Sequence, residues 1–330
     1  SNHFMYSYVS LAKGFGILLV IAGHFTTVKY APGFYNAFRD WIYAFHMPLF
    51  MSLSGFLFAY SLKRSSGQLP FWSFVRKKFT RLMVPYFFVS AVIALIKWYF
   101  PKGRIVNYGY LTDLLYMNVG GVAVFLWFLY ALFLIFLIAA VFVQFKRGHM
   151  AMGLVALPLF FMTLPDTFFL SYVKVYLLYF WLGMSLFMAA DKKVLHLSLK
   201  EMWVALLLFI PVYACRTMGH DGFLRNLENL LCGTLCSYAV ICFCNYLNRY
   251  TSVIQKSILH VGKQSAAIYL MHMAGVSLVC VWYEKLAIFT PLTYLVALIV
   301  AVIMGVGLSL LANKYLVSSN KYVNWLMGGN

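Results

Sequence analysis

Acidic residues are scarce in this chain: eight Asp and Glu stand against 26 Lys and Arg in 330 residues. Charged residues of both signs together make up only 10%, which excludes an ordinary soluble domain. Cysteine is also sparse. Cys215, Cys232, Cys236, Cys242, Cys244 and Cys280 lack zinc-site spacing and nearby histidine partners, so they read as small apolar packing residues. No low-complexity tract, long linker or obvious internal repeat interrupts the chain, which reads as a single transmembrane domain over residues 1–330. The lack of a repeat weighs against a transporter built from paired halves. The first apolar run has neither a basic n-region nor a small-residue cleavage site, so no cleavable signal peptide is expected.

What is abundant is apolar sequence, at 63% of residues and a mean hydropathy of +0.83. A helix needs about 20 apolar residues to cross the hydrocarbon core. Ten such runs are predicted, at 8–29, 39–62, 82–100, 122–145, 150–165, 172–190, 202–218, 227–247, 265–285 and 290–312. The fold class expected is therefore an all-α polytopic membrane protein of about ten helices. The net charge of +18 suggests nucleic acid until its distribution is considered. Lys63, Arg64, Arg76, Lys77, Lys78 and Arg81, then Lys146 and Arg147, then Lys192, Lys193 and Lys200 fall in alternate connections. Arg249, Lys256, Lys263, Lys314 and Lys321 continue that pattern. Most carboxylates fall on the opposite side: Asp40, Asp113, Asp166, Asp221, Glu228 and Glu284. The positive-inside rule then places both termini in the cytoplasm, and ten spans satisfy that parity. Membrane lipid is the expected partner of the basic connections; nucleic acid is not.

Ionisable side chains inside apolar runs are expensive and mark candidate sites. The first run carries Lys13 and His24. Eleven residues advance a helix by roughly 16 Å and turn it by three turns plus about 20°, so both lie on one stripe of one helix. The second run contains Phe45-His46-Met47-Pro48-Leu49-Phe50 and Ser54-Gly55-Phe56. The two runs form a hairpin that places His24 and His46 at similar depth. Pro48 is expected to kink its helix and free a carbonyl at a cavity wall. A neutral histidine suits proton transfer from an alcohol near working pH. His24 is the candidate base and His46 a partner or substrate ligand; a metal held by the two lacks a third ligand.

Other groups read in two ways. Arg76, Lys77, Lys78 and Arg81 sit in an amphipathic connection that runs into the third span, with Lys78 and Arg81 sharing a face if the helix has begun. They suit lipid headgroups or topology, and equally a phosphorylated cytoplasmic ligand. Tyr269 and His272, spaced i and i+3, face inward together, where interhelical hydrogen bonding is the default role. The loop 101–121, with Tyr108, Tyr110, Asp113, Tyr116 and Asn118, suits a sugar or an ordinary solvated interface.

Taken together these segments resemble the membrane-bound acyltransferase-3 family, and within it the fucose 4-O-acetylase-like branch. The basic-x10-His signature is Lys13 to His24. The second signature is Phe45 to Phe50 with Ser54-Gly55-Phe56. An inner basic motif is Lys78-Phe79-Thr80-Arg81, followed by Trp127-Phe128-Leu129, by Tyr179-Phe180-x-x-Gly183, and by Gly262-Lys263-x-Ser265 through Ile268-Tyr269-Leu270-x-His272. Lysine stands at positions 13 and 78 where many members have arginine, and Ser10 stands where this branch often has aspartate.

The resemblance implies O-acylation of carbohydrate hydroxyls at the bacterial inner membrane. Acetyl-coenzyme A is the donor substrate and no cofactor is tightly bound. The acceptor is a polysaccharide, a lipopolysaccharide or a lipid-linked sugar. His24 would be general base or transient acyl carrier, with Lys13 and His46 beside the chemistry. Arg76, Lys77, Lys78, Arg81 and Trp127 would hold the donor. Asp40, Ser54, Asp113, Tyr269 and His272 would line the cavity or meet the acceptor. The rival reading is a glycan or small-solute exporter using the same polar cavity, which has no reason to be thermally stabilised by acetyl-coenzyme A.

Overall fold

The computed structural model describes residues 2–27, 29–99 and 124–329. Helix makes up 83% of the structure, and no strand occurs among the described residues. Each predicted apolar run falls on a helix: α1 (Asn2–His24), α2 (Gly33–Arg64), α3 (Phe71–Lys78) continuing into α4 (Val84–Tyr99), α5 (Trp127–Phe142), α6 (Gly148–Phe161), α7 (Leu170–Asp191), α8 (Leu199–Thr217), α9 (Gly222–Leu247), α11 (Ser265–Leu286) and α12 (Pro291–Ala312). Two further short helices are α10 (Val253–Lys263) and α13 (Lys321–Leu326).

Seven of these helical stretches are long and apolar enough to cross a membrane: Ser7–His24, Gly33–Arg64, Phe71–Ile96, Thr167–Asp191, Gly222–Leu247, Ser265–Leu286 and Pro291–Val317. Trp127–Phe142 and Gly148–Phe161 are apolar but shorter. α12 illustrates the pattern. Tyr294, Ala297, Leu298, Ala301, Gly305 and Ser309 recur at helical spacing and are buried, while Leu292, Val296, Ile299 and Ile303 stay exposed. That apolar outer face suits lipid, and the small buried stripe lets neighbouring helices approach.

The chain forms two compact units: Ser1–Leu53 with Met188–Tyr315, and Ser54–Phe187 with Leu316–Asn330. The first unit contains α1, the leading half of α2, and α8 to α12. In it the backbones of α1 and α10 approach closely. A Cβ on Gly262 would lie 1.7 Å from the Ser10 carbonyl oxygen, and one on Gly14 would lie 2.3 Å from that of Ile258. Only glycine at both positions allows this contact, which holds the Lys13 region of α1. Five of the six cysteines are buried and Cys215 is exposed. Cys232 and Cys236 pack with Ala44, Phe45 and Phe209, and Cys242 packs with Met202, Ala205 and Ala239.

The second unit contains the rest of α2, α3 to α7 up to Phe187, and α13. The predicted amphipathic connection is helical and passes into α4 through a π-turn at Phe79–Met83. α3 has no buried residue, and its last turn carries Arg76, Lys77 and Lys78. Phe58, Phe74, Phe136 and Phe180 form an aromatic core behind it, with Phe74 5.6 Å from Phe58 and 5.8 Å from Phe136 between ring centroids.

Candidate functional site

Three histidines converge in the first unit. His24 is the last residue of α1, and His46 and His272 lie within α2 and α11. The rings of His24 and His272 are 5.1 Å apart at 53°. Tyr43 links His46 to the end of α1. Its ring lies 4.9 Å from His46, a Cβ on Gly23 would touch it at 3.0 Å, and its hydroxyl donates to the Gly23 carbonyl at 3.4 Å. The expectation that His24 and His46 share one level of the hairpin agrees with this geometry. α2 runs unbroken through Pro48 from Gly33 to Arg64.

All three rings are oriented in the same way. His24 Nδ1 lies 2.7 Å from the Val20 carbonyl oxygen, and His46 Nδ1 lies 2.8 Å from that of Ile42. His272 Nδ1 lies 2.8 Å from the Tyr269 carbonyl and 3.2 Å from that of Ile268. A carbonyl oxygen only accepts, so Nδ1 carries the proton in each ring. In the neutral imidazole Nε2 then holds the lone pair, which is the atom a general base needs. Exposure separates the three. His46 is 5% exposed and His272 is 0% exposed, whereas His24 is partly exposed. His24 is thus the most exposed of the three imidazoles, and His46 and His272 are buried.

Tyrosines hold His24 in place. The last carbonyls of a helix lack intrahelical donors. At the end of α1 the N–H groups of Phe25 and Thr26 donate to the Ala22 and His24 carbonyls at 3.4 and 2.8 Å, and other helices add donors. Tyr35 donates to the Ala22 carbonyl at 2.9 Å and also reaches that of Gly23, and Tyr294 donates to the Phe25 carbonyl at 3.0 Å. Tyr35 and Tyr294 are themselves buried, with ring centroids 5.0 Å apart. Arg39 is a cation of this region, with its guanidinium carbon 5.0 Å from the Tyr43 ring centroid.

The remaining predicted residues divide between the units. Lys13 is partly buried on the same unbroken helix as His24, eleven residues and therefore roughly 16 Å away. Tyr269 is buried beside His272, with rings 6.1 Å apart. Asp40 accepts from Arg216 at 2.7 Å and from Tyr213 at 3.1 Å, so it anchors α8 to α2. Asp113 and the rest of loop 101–121 lie outside the described residues. Ser54 belongs to the second unit, as do Arg76, Lys77, Lys78, Arg81 and Trp127. Among the described residues no three His, Cys, Asp or Glu are grouped to hold a metal ion.

In the second unit the residues of the basic cluster differ in their surroundings. Lys78 turns onto aromatic rings, with Nζ 3.8 Å from the Phe136 centroid and 5.3 Å from that of Phe74. Arg76, Lys77 and Arg81 are exposed. The intervening π-turn widens the helix, and Thr80 donates to the Arg76 carbonyl at 3.0 Å, so i and i+3 no longer share a face as in an α-helix. Trp127 opens α5 and stacks on Tyr172 at 4.2 Å and beside Tyr176 at 5.0 Å.

Sequence reasoning missed Arg39, Tyr35 and Tyr43. A signal existed for two of them, since Arg39, Tyr43 and His46 follow i, i+4, i+7 spacing along one helix face. Tyr35 and Tyr294 carried none, because both act on carbonyls of a helix distant in sequence.

A family model described as an acyltransferase domain, acyltransferase-3, matches residues 6–313. Nodulation protein NolL of Mesorhizobium japonicum is 32% identical over 140 residues, which cover 41% of this chain. The chain spans about a third of that relative's length, at 35%. No solved structure matches.

Proposed function

The chain belongs to the acyltransferase-3 family, and on that premise we propose that it is an integral-membrane O-acetyltransferase. It moves an acetyl group from cytoplasmic acetyl-coenzyme A to a hydroxyl of a cell-surface or lipid-linked carbohydrate. The arrangement proposed has ten spans, cytoplasmic termini and a bacterial inner membrane as its location.

The observation that carries the reading is the locked tautomer of His24. With Nδ1–H held on the Val20 carbonyl, Nε2 takes the proton of the acceptor hydroxyl. The hydroxyl oxygen attacks the thioester carbonyl, the C–O bond forms and the C–S bond breaks. The imidazolium then returns its proton to the departing thiolate. General base catalysis of this kind contributes about 10²–10⁴-fold. His46 and His272 keep the neighbourhood polar and dry. The exposed Arg76, Lys77 and Arg81 hold the donor phosphates, and arginine is suited to do so bidentately.

The test is transfer of labelled acetyl from acetyl-coenzyme A to a glycan by reconstituted protein. The wild type is expected to transfer and His24→Ala is expected to be inactive; full activity in that variant overturns the assignment. An exporter would show no thermal stabilisation by acetyl-coenzyme A.

A further inference from the structure

Arg39 has no part in the steps above. It lies on the face of α2 that carries Tyr43 and His46, with its guanidinium carbon 5.0 Å from the Tyr43 centroid and Tyr43 4.9 Å from His46. Its Nε is buried and has no hydrogen-bond partner among the described residues.

The cations around it are satisfied. Arg216 donates to Asp40 at 2.7 Å and to Asn229 at 2.9 Å. Arg225 donates to the carbonyls of His220 at 3.0 Å and Arg216 at 2.7 Å. Among the described residues Asp40 is committed to Arg216 and Tyr213, and Glu228 Oε1 to His220 at 2.6 Å. Arg39 therefore brings a positive charge with no ion pair among the described residues, and a buried donor without a partner there, to the neighbourhood of the histidine cluster. A buried N–H left without an acceptor is costly, and a guanidinium is most stabilised by an anion that accepts two of its hydrogens.

We propose that Arg39 recognises an anionic group of the acceptor, a carboxylate or a phosphate carried beside the hydroxyl that is acetylated. The seven residues from Arg39 to His46 correspond to about 10 Å along α2, with the Tyr43 ring between them. Tyr43 also meets Gly23 beside His24, so the held anion would sit across that ring from the reacting hydroxyl, where a neighbouring substituent of an oligosaccharide lies. Tyr43 gives that oligosaccharide an aromatic surface between the anion and the base. The proposal rests on the transferase reading of the same site and makes the acceptor an acidic glycan.

The experiment uses the full chain in vesicles with three oligosaccharides of one backbone: one bearing uronic carboxylates, one bearing phosphodiesters, and a carboxyl-reduced neutral form. Binding and acetyl transfer are both measured. The wild type is expected to favour one anionic form over the neutral form by at least tenfold in acceptor KM, and the favoured form identifies the anion. Arg39→Gln is expected to remove that preference, and Arg39→Lys to restore part of it. Stabilisation by acetyl-coenzyme A in the same variants reports that they are folded. Equal use of all three acceptors by the wild type overturns the proposal, as does equal loss on all three in Arg39→Gln. Arg39-dependent binding of the anionic form without transfer to any acceptor supports the anion site and refutes the transferase reading. Absence of both binding and transfer overturns the anion site.

Discussion

The rings of His24 and His272 lie 5.1 Å apart although they come from α1 and α11. Each holds its Nδ1 proton on a carbonyl of its own helix. Two imidazoles so placed have their Nδ1 protons directed by backbone geometry. His272 is fully buried and His24 is partly exposed, so under the proposed reaction a bound substrate would meet His24, with His272 in a supporting place.

His272→Ala is expected to lower kcat with little change in donor KM, whereas His24→Ala abolishes transfer. Removing a buried side chain of this size also leaves a cavity, so His272→Gln serves as the less disruptive comparison. Steady-state kinetics on reconstituted protein checks both. Loss of donor binding in His272→Gln would contradict a supporting role.

Tyr35→Phe removes the hydroxyl that caps the Ala22 carbonyl. The Ala22 carbonyl keeps the 3.4 Å bond from the Phe25 N–H, and a lost hydrogen bond costs about 0.5–1.5 kcal/mol net, so the thermal midpoint should fall. Transfer should fall with it because the end of α1 carries His24. Tyr294→Phe acts on the Phe25 carbonyl and should behave alike. Calorimetry and activity on the same preparations test the link.

In the basic segment, Arg76→Ala with Arg81→Ala is expected to weaken acetyl-coenzyme A binding, with a larger effect at low salt because exposed charges are screened within about 10 Å at 0.1 M. Lys78→Ala should instead lower stability, since its ammonium rests 3.8 Å from the Phe136 ring centroid and such contacts contribute about 0.5–2 kcal/mol. Donor titrations at two ionic strengths separate the two roles. Unchanged donor affinity in the double variant would assign Arg76 and Arg81 to lipid or topology.

Gly262→Ala puts a methyl group on the Ser10 carbonyl, where the available distance is 1.7 Å. The obstacle is backbone, so α1 and α10 must separate. Overpacking of this kind costs about 1–3 kcal/mol. A melting temperature equal to the wild type would show that α10 moves freely from α1.

The two signatures that carry His24 and His46 were legible because they sit in apolar runs where polar residues are rare. The capping tyrosines were not legible in that way. Tyrosine is abundant, with 24 in the chain, and nothing in the composition separates Tyr35 from a tyrosine at a membrane interface. Asp40, expected to line the cavity or meet the acceptor, also pairs with Arg216 of α8, a contact that spacing along one helix does not reveal. Lys78 and Arg81 were to share a face only if an α-helix had begun, and a π-turn lies there.

By itself the sequence determined the helical class, the placement of each apolar helix, the basic segment before α4 and the histidines that lie among apolar residues. These follow from hydropathy and from the high cost of polar groups in hydrocarbon, both of which are local. Tertiary structure decided which histidine is most exposed, which donors cap the end of α1 and which cation has no ion pair among the described residues. Those depend on which helices meet, and that is set by close approaches such as Gly262 on Ser10, whose partners lie far apart along the chain.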